Sequence, residues 1–165
     1  MTKKVFVSII VICIFFLTGC SNDATNNSGN TGLPSTDEQI KNCSRSAEGT
    51  DGVTAKSEYN IYHIGSYITR IHSIVEVNTN SKVRLNEERL AYEKAFSVYD
   101  SLDYYDYNIT VNGNTLRIES TIDYKNIDID KLLKIEGESN NIIRNGRAVL
   151  AEWEALAKKT GVTCS

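Results

Sequence analysis

Apolar and polar positions divide the chain into three stretches. Residues 5–17 form a nearly unbroken apolar run, and Ser21 to Thr36 reads SNDATNNSGNTGLPST with almost no apolar residue. From Asp37 onward the two kinds alternate in ways that predict secondary structure. Val53 to Ile64 and Tyr67 to Val77, rich in Ile, Val, Tyr and Thr, predict two strands. Gly65-Ser66 between them predicts a type II′ hairpin, with Gly at the first central position. From Leu85 to Leu102 the spacing becomes helical, with Ala91, Ala95, Val98 and Leu102 on one face and Tyr92, Phe96 and Tyr99 beside them. Asn86 is the expected N-cap, and Glu87 and Glu88 suit the positive end of the helix dipole. Tyr104 to Val111 and Thr115 to Tyr124 flank Asn112-Gly113, which predicts a second hairpin. Asp130 is placed to cap a short helix over Lys131 to Ile135, stopped by Gly137. Arg147 to Lys159 predicts an amphipathic helix with Val149, Leu150, Trp153, Leu156 and Ala157 inward; Lys158 and Lys159 occupy its last turn and Gly161 ends it. The order of strand, hairpin, helix, hairpin, helix leads to an α+β fold. The expected core is an antiparallel meander sheet of about four to five strands with two main helices on one face.

The first apolar run is an address rather than a structural element. Lys3 and Lys4 precede it, and it is too short to span a bilayer as a helix, which needs roughly 20 apolar residues. Its length and flanks are those of a signal peptide. The run ends in Leu17-Thr18-Gly19-Cys20, which resembles the lipobox of bacterial lipoproteins. That resemblance implies cleavage before Cys20 and lipidation of its sulfur, and two or three acyl chains at ~0.8 kcal/mol per buried CH₂ anchor stably. The expected organisation is therefore a signal peptide over 1–19, a polar tether over 20–36 that cannot bury enough surface to order itself, and one α+β domain over 37–165.

Composition and charge change the picture once this partition is made. The chain of 165 residues has a formal net charge of -3, with 24% charged and 41% hydrophobic residues, ordinary for a globular protein. Loss of Lys3 and Lys4 makes the remainder more acidic, which offers no attraction to nucleic acid or to anionic headgroups. Membrane contact is then expected through the lipid on Cys20 alone. Cys13 departs with the signal, leaving Cys43 and Cys164 as an even pair in an exported chain. They are expected to form a disulfide between the first strand and the last segment. The alternatives are a redox pair, for which there is no C-x-x-C, and two free buried thiols.

Candidate chemistry is sparse. His63 and His72 lie on neighbouring expected strands; the Gly65-Ser66 turn pairs His63 with Ile68 and His72 with Tyr59, on one face but offset, with no His-x-x-x-His or cysteine cluster to complete a metal site. There is no G-x-S-x-G, no P-loop and no dinucleotide fingerprint. Asn126 to Asp130 opens like a calcium loop, but Lys131 and Gly137 stand where Gly and Glu are needed. Asp100, Asp103 and Asp106 interleave with Tyr99, Tyr104, Tyr105 and Tyr107, and these four tyrosines are the candidate binding surface.

The chain resembles the YehR-like family of small bacterial lipoproteins. The resemblance rests on Cys20, on Tyr62-His63 and Gly65 followed by Ile68-Thr69-Arg70, on Asp123-Tyr124 leading into Ile127-Asp128-Ile129-Asp130-Lys131, and on the last helix ending in Gly161. A shorter loop in the first hairpin and a longer Asn-rich stretch before the last helix set this chain apart. Cys43 and Cys164 match a pair found in some relatives. The family implies a lipid-anchored α+β domain without catalytic residues to carry over. The expectation is a non-enzymatic binding or interaction domain on the extracytoplasmic face of the bacterial cell membrane, with no cofactor and no catalytic or metal site, meeting an envelope ligand or protein. The alternative is an envelope hydrolase using dispersed His and Asp residues.

Overall fold

A computed structural model describes residues 37–49, 52–137 and 141–165. The expected signal peptide and tether, Cys20 included, lie outside the described residues. The elements in chain order are β1 (Gln39–Glu48), β2 (Thr54–Ile64), β3 (Tyr67–Asn78), α1 (Lys82–Phe96) with a 3₁₀ turn at Ser97–Tyr99, β4 (Tyr105–Asn112), β5 (Thr115–Asp123), α2 (Ile129–Glu136), β6 (Ile143–Arg144), β7 (Arg147–Ala148), α3 (Leu150–Lys159) and β8 (Thr163–Cys164). Six strands form one antiparallel sheet in the order β4-β5-β3-β2-β1-β8, and β6 with β7 makes a small separate ribbon.

The fold is α+β, with more strands than the four or five expected. It is also not a simple meander. β1, β2 and β3 run side by side, α1 then carries the chain past one position to the far edge at β4, and β5 returns to pair with β3. The sheet has two chemically distinct faces because side chains alternate along each strand. Register places Ile61 beside Ile71, Val77 beside Leu116 and Val75 beside Ile118, all buried and on one face. Val75, Val77, Leu116 and Ile118 share a core cluster with Leu85, Tyr92 and Phe96 of α1 and Leu132 of α2. Cys43, Ile61, Ile68 and Ile71 share a second cluster with Ala157 of α3, where Trp153 meets Tyr59 edge-on at 5.6 Å.

Several local expectations shift by a few residues, each for a physical reason. In the first hairpin Gly65 has φ 57° while Ser66 stays in the ordinary region, which is the II′ pattern expected. Two residues further on, β3 carries an extra residue: Tyr62 pairs with Arg70 but His63 with Ile68, so Thr69 bulges. In the second hairpin Asn112 pairs with Thr115, so the loop is Gly113-Asn114 rather than Asn112-Gly113; Gly113, φ 60°, takes the first central position of another II′ turn. The Asn-Gly signal operates elsewhere. Asn145 (φ 52°) and Gly146 (φ 72°) both sit in the left-handed region, as a type I′ turn demands, and close the β6–β7 ribbon. The helix expected from Arg147 therefore begins only at Leu150.

Helix α1 starts before Asn86: Ser81 is its N-cap and accepts from the Arg84 backbone N–H. Its inward stripe is Leu85, Glu88, Tyr92 and Phe96, so Val98, expected inward, is 52% exposed. Asp128, not Asp130, caps α2, accepting from the Lys131 backbone N–H at 3.0 Å. α3 closes as expected at Gly161, with Val162 donating to Ala157 and Gly161 to Lys158 in a Schellman arrangement. Cys43 and Cys164 are directly paired across β1 and β8 and joined by a disulfide, with Cα atoms 4.0 Å apart.

Candidate functional site

The face of the sheet opposite the core clusters carries polar and charged side chains. Lys56 and Glu58 of β2, Arg70, His72 and Glu76 of β3, and Arg117 and Glu119 of β5 project from it by the same alternation that turns their neighbours inward. Four of them form a network across β3 and β5: Glu76 accepts from Arg117 at 2.7 Å, Arg117 reaches Glu119 at 3.5 Å, and His72 Nε2 meets Glu119 at 3.0 Å. Lys56 and Glu58 pair at 2.5 Å. The hydrogen bond from His72, aided by Arg117, holds the Glu119 carboxyl below its ordinary range, and Lys56 does the same for Glu58. These ladders are solvent-exposed, so each contributes little to stability. Their weight falls on the pattern of charge presented.

The two ends of this face differ. Where β1, β2, β3 and β5 end together lies an open depression of about 460 Å³ bordered by Ser46, Glu48, Thr54, Lys56, Glu76 and Thr115 among others. At the opposite end the bulge presents Thr69 to Glu38, whose carboxylate accepts from Thr69 Oγ1 at 2.6 Å and from Lys125 at 2.9 Å. These bonds lower the Glu38 pKa, that from Thr69 foremost. Arg70 lies over the Tyr62 ring at 3.9 Å. The chain's entry into the sheet is thus pinned to β3 and to the segment after β5.

The four candidate tyrosines do not form one surface. Tyr99 and Tyr105 are 2% and 9% exposed and stack with ring centroids 4.3 Å apart, inside the first core cluster. Tyr107 is half-buried against Phe96 and donates its hydroxyl to Asp100 at 2.5 Å. Only Tyr104 is open to solvent, held at φ 68° in the turn entering β4. The strand alternation that the sequence displays as a tyrosine-rich run points Tyr105 and Tyr107 toward the helices.

Beneath them stands a carboxylate that no motif in the sequence marks. Glu136, the last residue of α2, is hydrogen-bonded to the Tyr99 hydroxyl and faces Tyr105 and Tyr124. Burial pushes its carboxyl up to about 7, against which the Tyr99 bond works only in part. The same burial, with Glu136 nearby, pushes the tyrosine hydroxyls up as well. A signal was present: an acid directly before the stopping Gly137 sits at the negative end of its helix, where carboxylates are disfavoured.

The histidines end up on opposite faces. The bulge at Thr69 moves His72 opposite Asn60 rather than Tyr59, a one-residue slip that turns every side chain beyond it over. His72 therefore joins Glu119 on the open face, while His63 Nδ1 contacts the Gly65 carbonyl at 2.9 Å. Among the described residues no three His, Cys, Asp or Glu are grouped to hold a metal, and no helix is long and apolar enough to cross a membrane.

No protein-family model matches this chain, and no curated protein matches it. Among solved structures, the NMR structure of the Escherichia coli YehR protein superimposes with a TM-score of 0.54 at 16% identity, covering 78% of this chain and 91% of that one. The chain has the YehR-like fold. An NMR structure of a protein from Streptococcus pneumoniae TIGR4 aligns at 12% identity and a TM-score of 0.49, covering 89% of this chain and 100% of that one. The expected resemblance to YehR-like proteins thus holds at the level of fold. In this version of the YehR-like fold the sheet's open face, rather than the tyrosine run, gathers the exposed charged groups.

Proposed function

We propose that the protein is a lipid-anchored envelope lipoprotein and a non-enzymatic binding domain, working from the extracytoplasmic face of the bacterial membrane. The observation that carries the binding role is the open sheet face, whose Lys56–Glu58 pair and Glu76–Arg117–Glu119 group lead to the depression beside Thr115. A face of fixed, alternating charges suits selection of a partner by electrostatic complementarity. The two main helices and α2 are read as backing the other face, leaving this one for the ligand. The anchor rests on Leu17-Thr18-Gly19-Cys20 and the signal before it.

Two measurements test the two halves. Cys20→Ser is expected to stop lipid labelling and to leave the protein unprocessed or shed from the membrane; unchanged labelling overturns the anchor. A photo-crosslinking side chain at Lys56 or Thr115 in the full chain, in intact envelopes, is expected to capture one discrete species that the same group at Val83 on α1 does not. Equal capture from Val83, or none from the sheet, overturns the binding face. The hydrolase alternative would draw on the His72–Glu119 pair, the histidine–carboxylate contact on this face. That pair does not border the depression, and Arg117 already engages its carboxylate.

A further inference from the structure

The two outer edges of the sheet are built differently. On one side β8 covers the middle of β1, and the remainder of β1 carries Lys41, Arg45 and Glu48. Charges and short covering strands are the usual means by which proteins keep an edge from pairing. On the other side β4 pairs with β5 alone among the described strands, and Tyr107 to Asn112 reads YNITVN, with no charge and no Pro. The hydrogen-bond phase of this edge follows from one contact. Asp123 donates its backbone N–H to the Tyr104 carbonyl at 3.0 Å, which makes Tyr105–Ile122 a non-hydrogen-bonded pair. Residues 106, 108, 110 and 112 then bond to β5, while Tyr105, Tyr107, Ile109 and Val111 aim their N–H and C=O groups out of the sheet.

We propose that this edge pairs with the same edge of a second copy, antiparallel about a two-fold axis at Ile109, giving a homodimer with one continuous sheet. The edge is self-complementary under that operation. Ile109 meets Ile109 and Tyr107 meets Val111, so every outward-pointing residue faces an outward-pointing residue and the backbone groups pair two by two. On the inner face the partners are aromatic against β-branched, a favourable cross-strand combination, and they cover Val111, now 47% exposed. On the open face Asn108 meets Thr110 and Asp106 meets Asn112, so no like charges oppose. The same construction on β1 about Cys43 places Lys41 against Arg45 and displaces β8. The symmetric partner therefore fits β4 and is excluded from β1.

The test uses the full chain in its own envelope. Thr110→Cys treated with a short bis-maleimide is expected to give a dimer well above the wild-type background, because diagonal positions across the pair lie ~7–8 Å apart. Lys56→Cys, at mid-sheet, is expected to give none. Ile109→Pro removes an outward N–H that β5 does not use and is expected to abolish the Thr110→Cys product. Since that variant risks misfolding, a gain of association decides the matter independently. In the double variant Asn108→Lys with Thr110→Glu, each new charge faces an opposite one within the monomer, Glu119 and Arg117 respectively, and an opposite one across the axis. Detergent-solubilised full chain carrying it is expected to dimerise roughly two- to tenfold more tightly by light scattering, and Val111→Lys more weakly. A single-copy mass for wild type and double variant alike, or crosslinking equal from Lys56→Cys, overturns the proposal.

Discussion

Replacing Glu136 by Gln should make the protein's stability less dependent on pH, and the size of the effect follows from its surroundings. In an unfolded chain this carboxyl titrates near 4.5; in the fold, burial beside Tyr99, Tyr105 and Tyr124 raises it to about 7. No cation appears among the groups that set this shift. Below pH 4.5 both states hold the proton and the residue is neutral to folding. As pH rises toward 7 the unfolded state ionises first, so the folded state loses ground over that window and stays lower above it. A shift of this size at 1.36 kcal/mol per unit corresponds to about 3 kcal/mol. Gln keeps an acceptor for the Tyr99 hydroxyl but has no charge to desolvate. Urea unfolding of parent and Glu136→Gln at several pH values between 4 and 9, with the disulfide intact, should show near-equal stability at the acid end. The variant should lead by about 2–3 kcal/mol at the alkaline end. The difference between the two curves removes the contribution of Glu38, Glu119 and Asp128, whose lowered pKa values act in the opposite sense. A pH-independent gap, or a variant weakened most at high pH, refutes the reasoning.

Three other outcomes are expected. Cys164→Ser opens a link spanning 121 residues and should cost about 5 kcal/mol in the chain-entropy account, read as a lower urea midpoint that reductant no longer changes. Leu116→Ala, at a position 0% exposed between α1 and the sheet, should cost about 2–5 kcal/mol by the same assay. Gly146→Ala must place a Cβ at φ 72° and should cost about 1–2 kcal/mol, whereas Gly146→Asn should cost less because Asn tolerates the left-handed region.

The strongly periodic elements were legible in the sequence. β2, β3, β5 and α3 lie within a few residues of where alternation and helical spacing put them, and the Cys43–Cys164 pair is where the cysteine count suggested. What escaped did so for specific reasons. β6, β7 and β8, the strands beyond the expected count, are two residues long each, too short for any alternation to announce them. The first helix was misplaced because Val83, Leu90 and Val98 are exposed while Glu88 is buried, which erases its amphipathic signature. A single bulged residue, invisible to any pattern of period two, reassigned His72 to the open face. The tyrosine run suggests a surface because spacing alone gives alternation without saying which phase is inward. The charged network needs β5, distant in sequence, laid beside β3 of the first hairpin.

The disulfide has a mechanical meaning as well as a thermodynamic one. It joins Cys43, near the start of the described domain, to Cys164, the next-to-last residue. Tension applied between the two ends of the domain first meets the Glu38 contacts and the start of β1, and from Cys43 it passes through a covalent bond to Cys164, so the chain between the two cysteines lies in a closed loop. Such a pull cannot extend the chain between the two cysteines. A partner gripping the open face instead loads a strand inside the closed loop, which is held to β1 by backbone and by the β1–β2 ladder together. A pull on the chain ends is thus limited by a covalent bond, whereas a pull on the face is shared among hydrogen bonds, packing and backbone.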